Sequence, residues 1–279
     1  MIHRIISRLD IKGPNLVKGI HLEGLRVLGK PELLARYYYE EGADELMYQD
    51  VVASLYERNS LENFVEKTAE KIFIPLTVGG GIRKISDIKR ILRAGADKVS
   101  INTAAINRPE FIKEAAEHFG ASTIVVSMEV IRQSDGSYFL FTDNGREYTG
   151  IDVKKWVEKV QSLGAGEIFL TSVDREGTMK GLDTDLINTV SSEVSIPLIC
   201  HGGFGNVGHI DFLKGTHIGG VAAASVFHYN YLASNKEDPY TFSEGNTDYL
   251  KSGIVKNKGL SISELKNYML SRGINVRHS

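Results

Sequence analysis

Short apolar runs alternate with longer amphipathic stretches along nearly the whole chain. The short runs predict strands over 5–10, 46–50, 76–78, 99–102, 124–129, 168–172, 198–201 and 221–224. The amphipathic stretches, each closing near Gly or Pro, predict helices over 31–41, 61–72, 85–94, 109–119, 153–163 and 184–194. Eight such alternations in about 250 residues point to a single (β/α)8 barrel rather than an open doubly wound sheet. No dinucleotide-binding fingerprint with its downstream acidic residue contradicts that reading. One strand departs from the pattern. In GADKVSIN, Val99 and Ile101 alternate with Lys98, Ser100 and Asn102, so one face is polar throughout. In an ordinary core that face would be costly.

Internal similarity adds a second layer. GADELMYQDVVAS from Gly42 resembles GAGEIFLTSVDRE from Gly164, and TVGGGI with SINTAA returns as CHGGFG with AAASVF at a matching offset. The chain therefore reads as one domain over 1–279 made of two fused half-barrels, about 1–120 and 121–279. Gly79 and Gly80 then correspond to Gly202 and Gly203, Asn102 to Ser225, and Asp10 to Glu129, each pair facing across the barrel.

Composition removes several classes of function. With 279 residues, 42% hydrophobic content and a formal charge of −2, the chain suits one large soluble domain, and nothing suggests nucleic acid as a partner. A single cysteine, Cys200, excludes an intramolecular disulfide framework. The opening MIHRIISRLD is too short and charged for a secretory segment, and no apolar run approaches the roughly 18 residues of a membrane span. The expected compartment is the cytoplasm.

Candidate chemistry gathers at the strand ends. Gly79-Gly80-Gly81 after the third strand, with Asn102 and Thr103 after the fourth, offers converging backbone N–H groups to a phosphate. The second half repeats this with Gly202, Gly203, Ala224 and Ser225, joined by Gly177 in DREGT. A lone Gly-Gly pair would be read as a tight barrel turn, but two related sets at the catalytic face point to a substrate phosphorylated at both ends. Asp10 and Glu129 end the first and fifth strands, where barrel enzymes keep catalytic residues, and could act as acid and base; either could instead be a salt-bridged rim residue, with Lys18 an obvious partner. Lys18, Asp50, Thr171 and Asp174 are the expected substrate contacts. Cys200 beside His201 lacks further ligands at fixed spacing, so no metal is expected, and no cofactor either. His209, His217 and His228 form no constellation, and Trp156 with Tyr37, Tyr38 and Tyr39 reads as packing or interface.

TVGGGI, GADKVSINTAA, TSVDREGT and AASVFH resemble the HisF family, the cyclase subunit of imidazole glycerol phosphate synthase, and the likeness covers the chain to Phe227 and again 265–277. The resemblance implies a glutaminase subunit docked on the N-terminal barrel face near Asp97, and ammonia passing through the barrel to a site with two carboxylates and two phosphate pockets. It also implies that Arg4, Glu45, Lys98 and Glu167 form a charged ring at the barrel floor. Two positive and two negative side chains can neutralise one another there, which accounts for the lysine in GADKVSIN.

Three departures qualify the likeness. Glu129 stands where the family has its second catalytic aspartate, and about 1 Å of displacement at a reacting centre can cost on the order of 10²-fold in rate. The first loop, DIKGPNLVKGIHLEGLRVLGKP, keeps Asp10 and Lys18 but replaces the usual Asp-Gly turn. A polar insertion occupies about 230–261. YQDVVASLYERNS and EGNTDYL resemble the glycosyl-amidation-associated branch, which implies ammonia delivery to an N-acetyl sugar amidotransferase in surface-polysaccharide synthesis. The alternative is the cyclase of histidine biosynthesis, acting on a bis-phosphorylated ribulosyl substrate.

Overall fold

The computed structural model describes residues 1–52, 61–235 and 259–277. Strand β1 (Arg4–Lys12) is followed by an antiparallel hairpin, β2 (Asn15–Ile20) and β3 (Glu23–Gly29), then by α1 (Pro31–Glu40) and β4 (Glu45–Asp50). The alternation continues through α2 (Leu61–Ala69), β5 (Leu76–Gly79), α3 (Ile85–Arg93), β6 (Lys98–Ile101), a short α4 (Thr103–Asn107), α5 (Glu110–Phe119) and β7 (Ile124–Arg132). A second hairpin, β8 (Tyr138–Thr142) and β9 (Glu147–Asp152), precedes α6 (Val153–Ser162) and β10 (Glu167–Ser172). Then come α7 (Thr184–Ser191), β11 (Leu198–His201), a 3₁₀ segment (Val207–Leu213), β12 (Gly220–Ala223), α8 (Ser225–Ser234) and α9 (Ile262–Ser271).

Eight strands pair in parallel in the order β1, β4, β5, β6, β7, β10, β11 and β12, and β12 pairs back onto β1. The sheet is therefore a closed (β/α)8 barrel. The two hairpins extend β1 and β7 above its mouth and were not anticipated from the sequence, which predicts no strands over their second and third arms. The second has a clear local cause. Asp143 and Asn144 both adopt left-handed backbone, at φ 52° and 61°, ahead of Gly145, which is the turn that joins two twisted antiparallel strands. Helix α8 also runs to Ser234, so the segment read as an insertion from 230 starts inside a regular helix, while 236–258 lies outside the described residues. Among the described residues no helix is long and apolar enough to cross a membrane.

Burial divides into two clusters. The larger lies between sheet and helices and includes Trp156, Tyr38 and Cys200, which are thus packing residues. The smaller holds Ile6, Met47, Val125, Phe169, Ile199 and Ala222, all on barrel strands, and forms an apolar layer inside the barrel. Because side chains alternate along a strand, Arg4, Ile6, Arg8 and Asp10 of β1 all face inward, spanning roughly 20 Å from floor to mouth. Helix α9 is tied to the barrel by a buried ion pair, Lys266 Nζ to Asp44 Oδ1 at 2.8 Å, while Asp44 Oδ2 accepts from the Ile5 N–H at 2.7 Å.

The apolar lumen layer is the mechanical centre of the barrel. We expect Phe169→Ala to lower unfolding stability by about 3–5 kcal/mol in urea titration. An unchanged midpoint would contradict the burial of this ring.

Candidate active site

At the floor, all four residues of the expected ring meet. Arg4 reaches Glu45 Oε2 at 2.9 Å and Glu167 Oε2 at 2.5 Å, and Lys98 Nζ reaches the same two carboxylates at 3.0 and 3.4 Å. Each cation bridges both anions, so no charge is left alone in the low-dielectric lumen. Thr77, which sequence reasoning missed, donates to Glu45 Oε1 at 2.6 Å. Asp97 lies just outside this ring: its Oδ2 accepts from the Leu76 N–H at 2.8 Å, and it lines a surface cavity of about 380 Å³ with Phe73, Ile74 and Pro75. Phe73 is 84% exposed.

Above the apolar layer the lumen turns polar again. Arg8, buried and absent from the sequence expectations, sends its guanidinium across the lumen. Its Nε donates to Asp10 Oδ1 at 2.8 Å, and its Nη1 lies 3.5 Å from Thr171 Oγ1 and 3.4 Å from His201 Nδ1. Lys18 Nζ lies 3.1 Å from Asp10 Oδ2 and also pairs with Glu176. Glu176 in turn accepts from the Leu22 N–H at 3.0 Å, which seats the β2–β3 hairpin over the loop after β10. Burial opposes ionisation of Asp10, but Arg8 and then Lys18 outweigh it and hold the carboxyl below the usual carboxylate range. Asp10 thus stands at the barrel mouth as a buried carboxylate paired with two cations. Burial, reinforced by the charges of Arg8 and Lys18, keeps His201 neutral. Since an arginine can only donate, Nδ1 of His201 is the acceptor and Nε2 carries the proton.

Glu129 is placed differently. It is buried at the end of β7, with Oε2 accepting from the Gly145 N–H at 2.9 Å in the β8–β9 turn. Burial raises its pKa to about 7; Gly145 and Arg8 pull it down, while Asp143 and Asp10 push it up. It lines a cavity of about 470 Å³ together with Asp50, Gly80, Gly81, Asn102 and Thr103. Gly80 has φ 101°, and a Cβ there would come within 2.4 Å of the Asp50 carbonyl, so only glycine fits the turn. Asn102 occupies the N-cap position of the short α4 without a capping side-chain bond, and its Oδ1 is buried with no hydrogen-bond partner.

The second glycine set forms a similar turn but a much smaller space. Gly177, Gly202, Gly203, Ala224 and Ser225 surround only about 10 Å³, shared with Glu176 and His201. A Cβ on Gly177 would meet the Gly19 carbonyl at 2.4 Å, because the β2–β3 hairpin lies directly on this loop. Of the other expected substrate contacts, Thr171 is fully buried on β10, and Asp174 accepts from the Arg132 N–H at 2.8 Å. Asp50 Oδ1 accepts from the Val52 N–H at 2.9 Å and remains at the larger cavity. Among the described residues no group of three His, Cys, Asp or Glu side chains could hold a metal ion.

Closed barrel, glycine turns at the mouth and an ionic floor together define a (β/α)8 barrel of the histidine biosynthesis class, and the family described as histidine biosynthesis protein matches residues 4–233. The chain belongs to the HisF family of such proteins. It is 56% identical over 204 residues to imidazole glycerol phosphate synthase subunit HisF of Legionella pneumophila, covering 73% of this chain and 96% of that protein. It is 48% identical over 234 residues to the subunit of the same name from Thermobifida fusca (strain YX), covering 82% and 91%. Both names favour the cyclase reading over the surface-polysaccharide one, which no comparison supports.

The raised pKa of Glu129 has a sign that can be measured. The folded state holds this proton more tightly than the unfolded chain, so wild-type stability falls as pH rises from about 4.5 to about 7. Asp10 acts oppositely, supplying stability that is lost only as pH drops through the carboxylate range. We expect Glu129→Gln to gain on the order of 3 kcal/mol over wild type at pH 8 and to flatten the slope between those limits. Parallel stability curves for the two proteins would rule this out.

Proposed function

We propose that this chain is the ammonia-using cyclase subunit of an imidazole glycerol phosphate synthase. The observation that carries the reading is the alignment along one lumen of an ionic floor, an apolar layer and a mouth where Glu129 opens onto the glycine cradle of Gly80, Gly81, Asn102 and Thr103. The names of both relatives support it. Backbone N–H groups of the cradle would hold a phosphate of the ribulosyl substrate, and Glu129 would exchange protons with the reacting atoms. Ammonia would arrive from the floor past Arg4, Glu45, Lys98 and Glu167, crossing the apolar layer as the neutral molecule. A second reading, delivery of ammonia to another enzyme without ring closure, draws on the ion-paired state of Asp10 and the small second cradle.

Purified protein supplied with ammonium salt should consume the bis-phosphorylated ribulosyl substrate, and Glu129→Gln should slow this by about 10²-fold or more. Folded protein that shows no turnover at saturating ammonium would overturn the cyclase reading in favour of delivery.

The glutaminase partner would dock at the floor, where Phe73 is exposed and lines a cavity with Asp97. Aromatic side chains, phenylalanine included, are enriched at the cores of protein interfaces. Phe73→Ala should weaken binding of the glutaminase subunit by about tenfold or more in calorimetry while leaving ammonium-dependent turnover intact. Equal affinity for both proteins would move the interface elsewhere.

A further inference from the structure

Asp10 and Glu129 both stand at the barrel mouth, and their surroundings differ in kind. Asp10 has a cation on each oxygen: Arg8 Nε on Oδ1 at 2.8 Å and Lys18 Nζ on Oδ2 at 3.1 Å. Both cations are buried, and Lys18 is itself fixed by Glu176. Glu129 has one hydrogen-bond partner among the described residues, the Gly145 N–H at 2.9 Å. Its register partners are Thr171 on β10 and Phe141 on β8. The charged groups that act on it are Asp143 from the β8–β9 turn and Arg8 and Asp10 from β1. Asp50, Arg83 and Arg108 share its cavity.

Arg8 produces the difference. It is the inward residue immediately below Asp10 on the same face of β1, so its guanidinium need travel no farther than one strand repeat to reach the carboxylate. The other end of the fork is stopped by Thr171 and His201, and the plane lies 5.8 Å from the centre of the Phe169 ring. Together with the bond to Asp10, these contacts orient the guanidinium across the lumen.

We propose that Arg8 is a positioning residue that reserves Asp10 as a permanent anion and leaves Glu129 as the rim carboxyl that exchanges protons. The assignment of those protons to chemistry rests on the ammonia-using reading. When ammonia adds to a carbonyl, the N–C bond forms and the carbonyl π pair moves to oxygen, which takes the proton of Glu129. The nitrogen, now carrying one proton too many, returns a proton to the Glu129 carboxylate. One group that titrates near neutrality can serve both transfers, and Asp10 contributes field and position without changing its charge. The raised pKa of Glu129 and the lowered one of Asp10 agree with this division.

Carbon-13 NMR of the side-chain carboxyls tests the division without any turnover. In wild-type protein the Glu129 Cδ signal should titrate near pH 7, and the Asp10 Cγ signal should stay flat from pH 5 to pH 9. Arg8→Met should raise the midpoint of Asp10 by about 1–3 pH units and also raise that of Glu129, whereas Arg8→Lys should keep both close to wild type. A wild-type Asp10 that titrates between pH 5 and 9, or an Arg8→Met protein with both midpoints unmoved, would overturn the proposal. If Arg8→Met does not fold, the wild-type titration with Arg8→Lys still decides. Failure of the cyclase reading would appear separately, as absent turnover with these titrations intact.

Discussion

Charge neutrality inside a closed lumen governs this molecule. Once β1 pairs with β12 and β4, every second residue of each barrel strand is committed to a space with little water. Arg4, Arg8 and Asp10 are committed in this way by β1 alone, and an isolated ion there would cost several kcal/mol. The other strands supply the balance: Glu45 from β4, Lys98 from β6 and Glu167 from β10 at the floor, and the hairpin residue Lys18 with Glu176 at the mouth. The six apolar side chains between these levels separate two ionic layers that are each locally compensated.

The two halves of the chain apply a similar plan with different results. Gly80 and Gly202 both take left-handed backbone against the end of the preceding strand, Asp50 in one case and Ser172 in the other. The hairpins above them differ. The β8–β9 turn touches Glu129 through one N–H and Val51 through Asn144, leaving the larger cavity accessible. The β2–β3 turn is bonded to the loop after β10 by the His21 and Leu22 N–H groups, and little space remains beneath it. Local hydrogen bonding by a few turn residues therefore sets how much space lies open at each glycine turn.

Most of the barrel was legible because strand and helix periods are strong signals where burial is two-sided. The ionic floor was legible only through resemblance, since Arg4, Glu45, Lys98 and Glu167 are spread over much of the sequence and spacing alone does not join them. The hairpins were missed for different reasons. Asp143-Asn144-Gly145 between alternating runs is a recognisable turn signal that the reading passed over. The His21-Leu22 turn, at φ 55° and 62°, uses residues that seldom adopt that backbone, and tertiary bonds to Glu176 and Val173 hold it there. Arg8 carried no local mark at all. Its importance appears only when closure brings Thr171 and His201 within reach.

The buried pair between Asp44 and Lys266 links the start of the second barrel strand to the final helix, 222 positions later. A chain emerging from its N-terminus would hold Asp44 against the Ile5 amide long before the matching ammonium exists. The order of synthesis thus leaves Asp44 without its counter-ion until helix α9 is made, so that helix latches the lower end of the barrel by a charge as well as by packing.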